Sequence, residues 1–151
     1  MTPAQMGSTM GLLGVSGLLS AIVVPSLSDK FGRKPILYIF VSLGIFYPLS
    51  VIFLHGSAIY LPALFITYFM MGCIPIVAAV IPSESVPEQL RAKAMGLIMG
   101  VGEIVGGVLV PTVAGILSDS IAPSAFLWVS FTLAILAIGF IFKLKETVVL
   151  K

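Results

Sequence analysis

Long apolar segments separated by short polar ones dominate this chain. No Asp, Glu, Lys or Arg precedes Asp29, and none lies between Lys34 and Glu84. Apolar residues are continuous in these segments, without the alternation of a β-barrel strand. A helix needs about 20 apolar residues to cross the hydrocarbon core, so the segment between Lys34 and Glu84 requires two crossings. Because a helix satisfies its own backbone hydrogen bonds in lipid, the pattern predicts membrane-spanning helices.

Four polar stretches divide the apolar pattern into five predicted spans. They are residues 28–35, 55–58, 82–93 and 118–120, each with charges, Gly, Ser or His. The fold class is therefore all-α, a polytopic membrane helix bundle forming one transmembrane domain over residues 1–151. Pro48 and Pro75 fall inside spans and predict kinks. The spans are expected near residues 4–28, 36–54, 60–81, 94–117 and 124–142.

Composition narrows the class further. The chain has 151 residues, of which 59% are hydrophobic and 9% charged, too few polar side chains to coat a soluble globule. Its single cysteine, Cys73, excludes an intrachain disulfide and a cysteine metal cluster. The sequence contains no HExxH motif and no phosphate-binding P-loop, which disfavours a membrane-integral enzyme and predicts no cofactor and no metal. No basic face is left over for nucleic acid, because the cations follow the polar stretches.

Local patterns predict how two of the helices begin and pack. Ser85 followed by Glu88 matches a capping box, which predicts that the fourth helix begins there. Small residues at helical spacing predict faces on which a neighbouring backbone approaches closely. In the first span these residues are Gly7, Gly11, Gly14, Gly17, Ser20 and Ala21, and in the fourth they are Gly107, Pro111 and Gly115.

The charges of the polar stretches predict an orientation. With five spans, His55 and Asp119 fall on one side of the membrane and all eight basic residues on the other. The positive-inside rule makes the basic side cytoplasmic. The N-terminus is therefore expected outside and the C-terminus in the cytoplasm of a plasma (inner) membrane. The basic residues are Lys30, Arg33, Lys34, Arg91, Lys93, Lys143, Lys145 and Lys151.

The polar stretch after the first span carries the motif Asp29-Lys30-Phe31-Gly32-Arg33-Lys34. It resembles the signature between the second and third helices of each half of a major facilitator superfamily transporter. Pro25 stands where that signature begins with glycine. The stretch from Glu84 to Asp119 and the ending Lys143-Leu144-Lys145-Glu146-Thr147 are also similar to the C-terminal half of the family. The matching signature residues are Asp29, Lys30, Gly32, Arg33 and Lys34.

This resemblance implies helices eight to twelve of a twelve-helix carrier, hence a partial half-domain and a fragment. Its partners would be the lipid bilayer, a small-molecule substrate, protons, and the missing N-terminal helices of the same transporter. The implied function is secondary active transport by alternating access, coupled to protons or another ion. A non-transporting membrane partner or receptor on the same half-fold remains the alternative. Substrate identity is not readable from these residues.

The motif residues suggest a cytoplasmic gate. The Asp29 carboxylate can accept hydrogen bonds from the N-terminal amides of another helix, or from Arg33, while that side is closed. A solvated loop that only sets topology explains Lys30 and Lys34, but it requires neither Asp29 nor Gly32. We therefore favour the gate. Glu84 and Arg91 form a second candidate pair at the cytoplasmic hinge, although exposed pairs contribute little.

Glu103 is the candidate for coupling or for substrate binding. It lies about nine residues into the predicted fourth span, near mid-membrane, where an unpaired charge costs about 2.5–3.5 kcal/mol. We expect it to face protein or water. It would then carry protons or balance a cationic substrate, or instead be an acid hydrogen-bonded to a neighbouring helix. Thr67 and Tyr68, in the span that resembles the tenth helix, are weaker cavity candidates.

Overall fold

Five helical segments that are long and apolar enough to cross a membrane make up the computed structural model, which describes residues 3–122 and 124–144. No strand occurs in these ranges. The all-α membrane fold predicted from the sequence is confirmed. Lys145 and Lys151, and with them most of the basic tail, lie outside the described residues. The spans are Pro3–Phe31, Arg33–Phe53, Tyr60–Ser85, Glu88–Ser120 and Ala125–Lys143.

The polar stretch between the first two spans is not the loop predicted over residues 28–35. Helix continues to Phe31 and resumes at Arg33, so Gly32 alone separates the two spans. Gly32 has φ 99°, a conformation that residues with a side chain rarely adopt, and its amide donates to Ser28 O at 3.1 Å. One glycine therefore reverses the chain, and the motif residues on either side are helical.

The third and fourth spans change helical geometry along their length. In the third, α-helix over Tyr60–Thr67 gives way to a 3₁₀ segment, a single turn and a π segment. In the fourth, a 3₁₀ turn leads to α-helix, a π segment and α-helix again. The remaining bounds are Tyr68–Gly72, Cys73–Pro75, Ile76–Val80 and Ile81–Ser85 in the third span, and Glu88–Leu90, Arg91–Gly102, Glu103–Leu109 and Val110–Ser120 in the fourth.

Prolines account for both π segments. Each segment ends two residues before a proline, Pro82 in the third span and Pro111 in the fourth. A proline has no N–H to donate, and its ring collides with the carbonyl four residues earlier, so a local widening relieves the clash. Pro75, where a kink was predicted, ends the single turn Cys73–Pro75 between a 3₁₀ and a π segment. Pro48, in contrast, lies within uninterrupted α-helix.

The predicted capping box is wrong. Ser85 Oγ donates to Ile81 O at 2.6 Å, one turn back along the third span. Ser85 is the last residue of that helix, and Val86 after it is extended. The hydroxyl therefore bonds within the helix that ends there instead of capping the next one.

Four of the five spans form a common core. Its buried residues come from the first, second, third and fifth spans: Val24, Ile36, Leu37, Cys73, Ile76 and Ile141. The closest approach to another backbone is at Gly72 in the third span, where an added Cβ would collide with Ser20 O and lie 2.6 Å from Val24 Cβ. Gly44 in the second span similarly receives the Met70 side chain. Neither glycine belonged to a predicted packing face.

The predicted packing faces are mostly open in the described chain. In the first span, Gly7, Gly11 and Gly14 have no neighbour within 4 Å of an added Cβ, and Gly17 meets only the Tyr68 ring at 3.4 Å. Contact with a neighbouring span on this face therefore begins at Gly17 and continues at Ser20, whose carbonyl oxygen lies against Gly72. The fourth span has no buried residue from Arg91 to Leu109.

The three residues predicted to pack closely in the fourth span also lack contacts with other spans in the described chain. An added Cβ at Gly115 meets nothing, and one at Gly107 meets only the span's own Glu103. Pro111 is exposed. In the described residues this helix therefore lacks the close packing that its glycines predict, because no other span lies against them.

Candidate functional site

A buried arginine organises one end of the bundle. Arg33 is 6% exposed although it follows directly on the chain reversal. Its Nη1 donates to Ser28 Oγ at 2.7 Å and to Asp29 Oδ1. Its Nη2 and Nε donate to the two oxygens of Glu84, at 2.7 and 3.3 Å. This is the forked, two-bond geometry in which guanidinium and carboxylate match best.

Local sequence explains why these groups meet. The left-handed conformation of Gly32 ends one helix and starts the next, so Arg33 lies one helical turn from Asp29. Ser28 Oγ donates to Pro25 O at 2.7 Å and therefore turns a lone pair towards Arg33. Ser28 is fully buried, and sequence reasoning missed it. Arg33 joins the end of the first span, the start of the second and the end of the third.

The two carboxylates differ in exposure. The Asp29 side chain is 66% exposed, whereas that of Glu84 is 29% exposed. The ion pair of Arg33 and Glu84 thus joins the second span to the third in a largely buried position. Asp29 is the most exposed group of the cluster. The pair predicted between Glu84 and Arg91 is not formed: Arg91 is exposed and has no ion pair in the described ranges, because Glu84 turns to Arg33 instead.

Lys34 ties the fifth span to the same end. Its Nζ donates to Phe142 O at 3.0 Å, one of the last carbonyls of that helix, where a cation also complements the helix dipole. The Tyr38 and Phe142 rings meet edge to face at 5.0 Å. Lys30 is exposed. Four of the five motif residues therefore have a structural role: Asp29, Gly32, Arg33 and Lys34.

Thr67 and Tyr68 are used in packing. Thr67 is buried, and its Oγ1 donates to Ala63 O at 2.8 Å within its own helix. The Tyr68 ring lies 5.8 Å from that of Tyr47 and covers Gly17. Neither residue lines the groove that holds Glu103.

Glu103 lies in an open groove between the third and fourth spans. The groove has a volume of about 690 Å³, and its walls are largely apolar. Glu103 begins the π segment, close to the middle of the span Glu88–Ser120. Among the described residues it forms no ion pair and no side-chain hydrogen bond. The described ranges contain no cluster of three or more His, Cys, Asp or Glu that could hold a metal.

Comparison with known proteins agrees with this architecture. The sequence profile of the Major Facilitator Superfamily matches residues 1–149. An uncharacterized protein of Archaeoglobus fulgidus is 34% identical over 139 residues, which cover 87% of this chain and 62% of that protein. The chain thus spans less than two thirds of that relative. No solved structure matches the present chain. The match over almost every residue shows that the chain belongs to the Major Facilitator Superfamily, a family of membrane transporters.

Proposed function

We propose that this chain is part of a secondary active transporter that moves a small solute by alternating access, coupled to protons or another ion. Family membership and five membrane-spanning helices support the proposal. In this mechanism one helical bundle rocks against another around a central site. Further helices, of the kind that the resemblance assigns to the N-terminal half, would supply the second bundle. The protein would lie in the plasma (inner) membrane with the Arg33 end in the cytoplasm.

The buried Arg33 is the observation that carries the proposal. A loop that only anchored topology would leave its cations in water, yet this guanidinium is buried between two carboxylates of different spans. Through Glu84 it holds the first three spans together as one body. The exposed Asp29 carboxylate is free of such enclosure, so it is the group that contacts the opposing bundle when the cytoplasmic side closes. We therefore assign the gate to Asp29, Arg33 and Glu84.

Glu103 is the proposed coupling residue. It is a central carboxylate in a membrane span, and such residues are commonly functional because burying them in lipid is costly. Its groove gives it room for a proton, a water molecule or a substrate group. Glu103→Gln would keep the shape of the side chain and remove its charge. We expect this variant to lose the proton dependence of solute flux.

Flux across proteoliposomes tests the function. The chain with its preceding helices would be reconstituted and challenged with labelled sugars, organic anions, organic cations and peptides under a proton gradient. We expect flux of at least one class above that of protein-free vesicles. Asp29→Asn should reduce this flux about tenfold at unchanged protein content, whereas Asp119→Asn at the opposite end should not. No flux of any class from folded protein would favour the non-transporting alternative.

A further inference from the structure

We propose that the groove between the third and fourth spans binds a lipophilic organic cation, with the Glu103 carboxylate as its counter-ion. This inference rests on the proposed function and deepens it by naming a substrate class. It concerns the walls of the groove and their charge, and it uses no residue of the Arg33 cluster.

The groove has the size and lining of a small-molecule site. Its volume of about 690 Å³ falls within the range of about 300–1,000 Å³ that is usual for ligand pockets. One wall comes from the third span and carries Ile74 and Val77; the other comes from the fourth and carries Ile98 and Met99. Gly102 and Gly106 leave room between them, since an added Cβ at either would meet nothing. A flat or branched apolar body therefore fits against both walls.

The charge of the groove selects a cation. Of the residues that the structure describes, Glu103 is the only charged one that lines the groove, and no Lys, Arg or His among them does so. Its carboxylate lies over Gly107, with Oε2 3.1 Å from an added Cβ there, and it has no partner among the described residues. An unpaired carboxylate at the centre of a span is unfavourable. A ligand that brings a positive charge relieves this cost, and an anion increases it.

Each wall of the groove also carries a π segment followed by a proline. Pro82 and Pro111 cannot donate to the carbonyls of Ala78 and Gly107, four residues before them. Both of these residues line the groove, one on each wall. Each wall therefore carries an irregular turn of helix beside the groove. Segments of π-helix often occur at functional sites.

Binding of two ions of the same shape and opposite charge tests the proposal. The protein reconstituted for the flux measurement would be placed in lipid nanodiscs and titrated with tetraphenylphosphonium and, separately, with tetraphenylborate, and binding to empty nanodiscs would be subtracted. We expect saturable binding of the cation and none of the anion. Because a charged partner contributes about 1.5–3 kcal/mol, Glu103→Gln should weaken cation binding about tenfold or more. Glu103→Asp should retain most of it, as should Asp119→Asn, whose carboxylate lies outside the groove.

A variant that fills the groove without changing its charge provides a second test. Ala78→Phe would place a ring in the groove and should also abolish cation binding, with helix content measured by circular dichroism unchanged. Equal binding of both ions, or unchanged affinity in Glu103→Gln, would overturn the proposal. Solute flux without tetraphenylphosphonium binding would remove this site and leave the transporter intact. Binding without any flux would keep the site and contradict the transport function.

Discussion

The third and fourth spans are built from the same ingredients and pack in opposite ways. Each contains several glycines or small residues, a π segment and a proline two residues beyond it. In the third span Gly72 meets the first span, and Cys73, Ile76 and Pro82 are buried. In the fourth, no residue from Arg91 to Leu109 is buried, and Pro111 is exposed. Glycine spacing thus indicates that a helix can be approached closely. Close packing also requires a neighbouring helix against those glycines.

The largest expected effect comes from filling the closest contact of the third span. Gly72→Val would place Cβ against Ser20 O and Val24, where backbone cannot yield cheaply. We expect about 3 kcal/mol or more of lost stability, the upper range for overpacking. Gly100→Val in the fourth span meets nothing and should change stability by less than about 1 kcal/mol. Unfolding by SDS in mixed micelles measures both, and equal losses would erase the contrast between the spans.

The second effect concerns the ion pair between Arg33 and Glu84, at the C-terminal end of the third span. Arg33→Gln would leave Glu84 without the buried guanidinium that holds it to the first two spans. Breaking a fully buried pair costs about 3–5 kcal/mol, and the partial exposure of both carboxylates reduces our expectation to about 1–3 kcal/mol. Alkylation of buried Cys73 should become faster as this end loosens. Lys30→Gln, at an exposed position of the same motif, is the matched control.

These contacts show what sequence could and could not predict. The five spans and the importance of Asp29, Gly32 and Arg33 were readable because hydropathy and a local motif act over short distances. The bond between Arg33 and Glu84 joins residues 51 positions apart, and nothing local marks it. For the same reason the pair of Glu84 with nearby Arg91 looked plausible and is wrong.

The packing predictions for the fourth span stay predictions, because no described span lies against its glycines. Repeated glycines drew attention to Gly107 and Gly115, whereas Gly72, the glycine that lies against the backbone of another span, stands alone in an apolar run. The extent of the first turn was also misjudged. Charges suggested a wet loop over residues 28–35, but a single left-handed Gly32 allows helix on both sides.

The third effect tests that chain reversal. Gly32→Ala would force a side chain into φ 99°, ψ 153°, a region populated almost only by glycine. We expect a loss of about 1–3 kcal/mol, and Arg33 should lose part of its enclosure because its helix starts at this residue. Gly32→Asn should be equally unfavourable at this ψ. If Gly32→Ala is as stable as the parent in SDS unfolding, the tight reversal at Gly32 is not required for packing of the first three spans.

The smallest effect concerns the fifth span, which Lys34 of the second span holds by one hydrogen bond. Lys34→Met keeps the aliphatic stem and removes the bond from Nζ to Phe142 O. We expect a loss of about 0.5–1 kcal/mol, since the bond is exposed and charge-assisted. Lys34→Arg should restore most of it. A hydrogen-exchange measurement should show faster exchange at the end of the fifth span only. No change in either readout would mean that this contact does not hold that helix.

Sidedness is the most direct test of the central claim that five spans gather the basic residues and the Arg33 cluster at the cytoplasmic face. In a Cys73→Ala background, Lys30→Cys, Lys143→Cys, Ser57→Cys and Asp119→Cys would be labelled with a membrane-impermeant maleimide in intact cells and in inverted vesicles. The account predicts that positions 57 and 119 react in intact cells and that positions 30 and 143 react only in inverted vesicles. Labelling of positions 30 and 143 from opposite faces would contradict it.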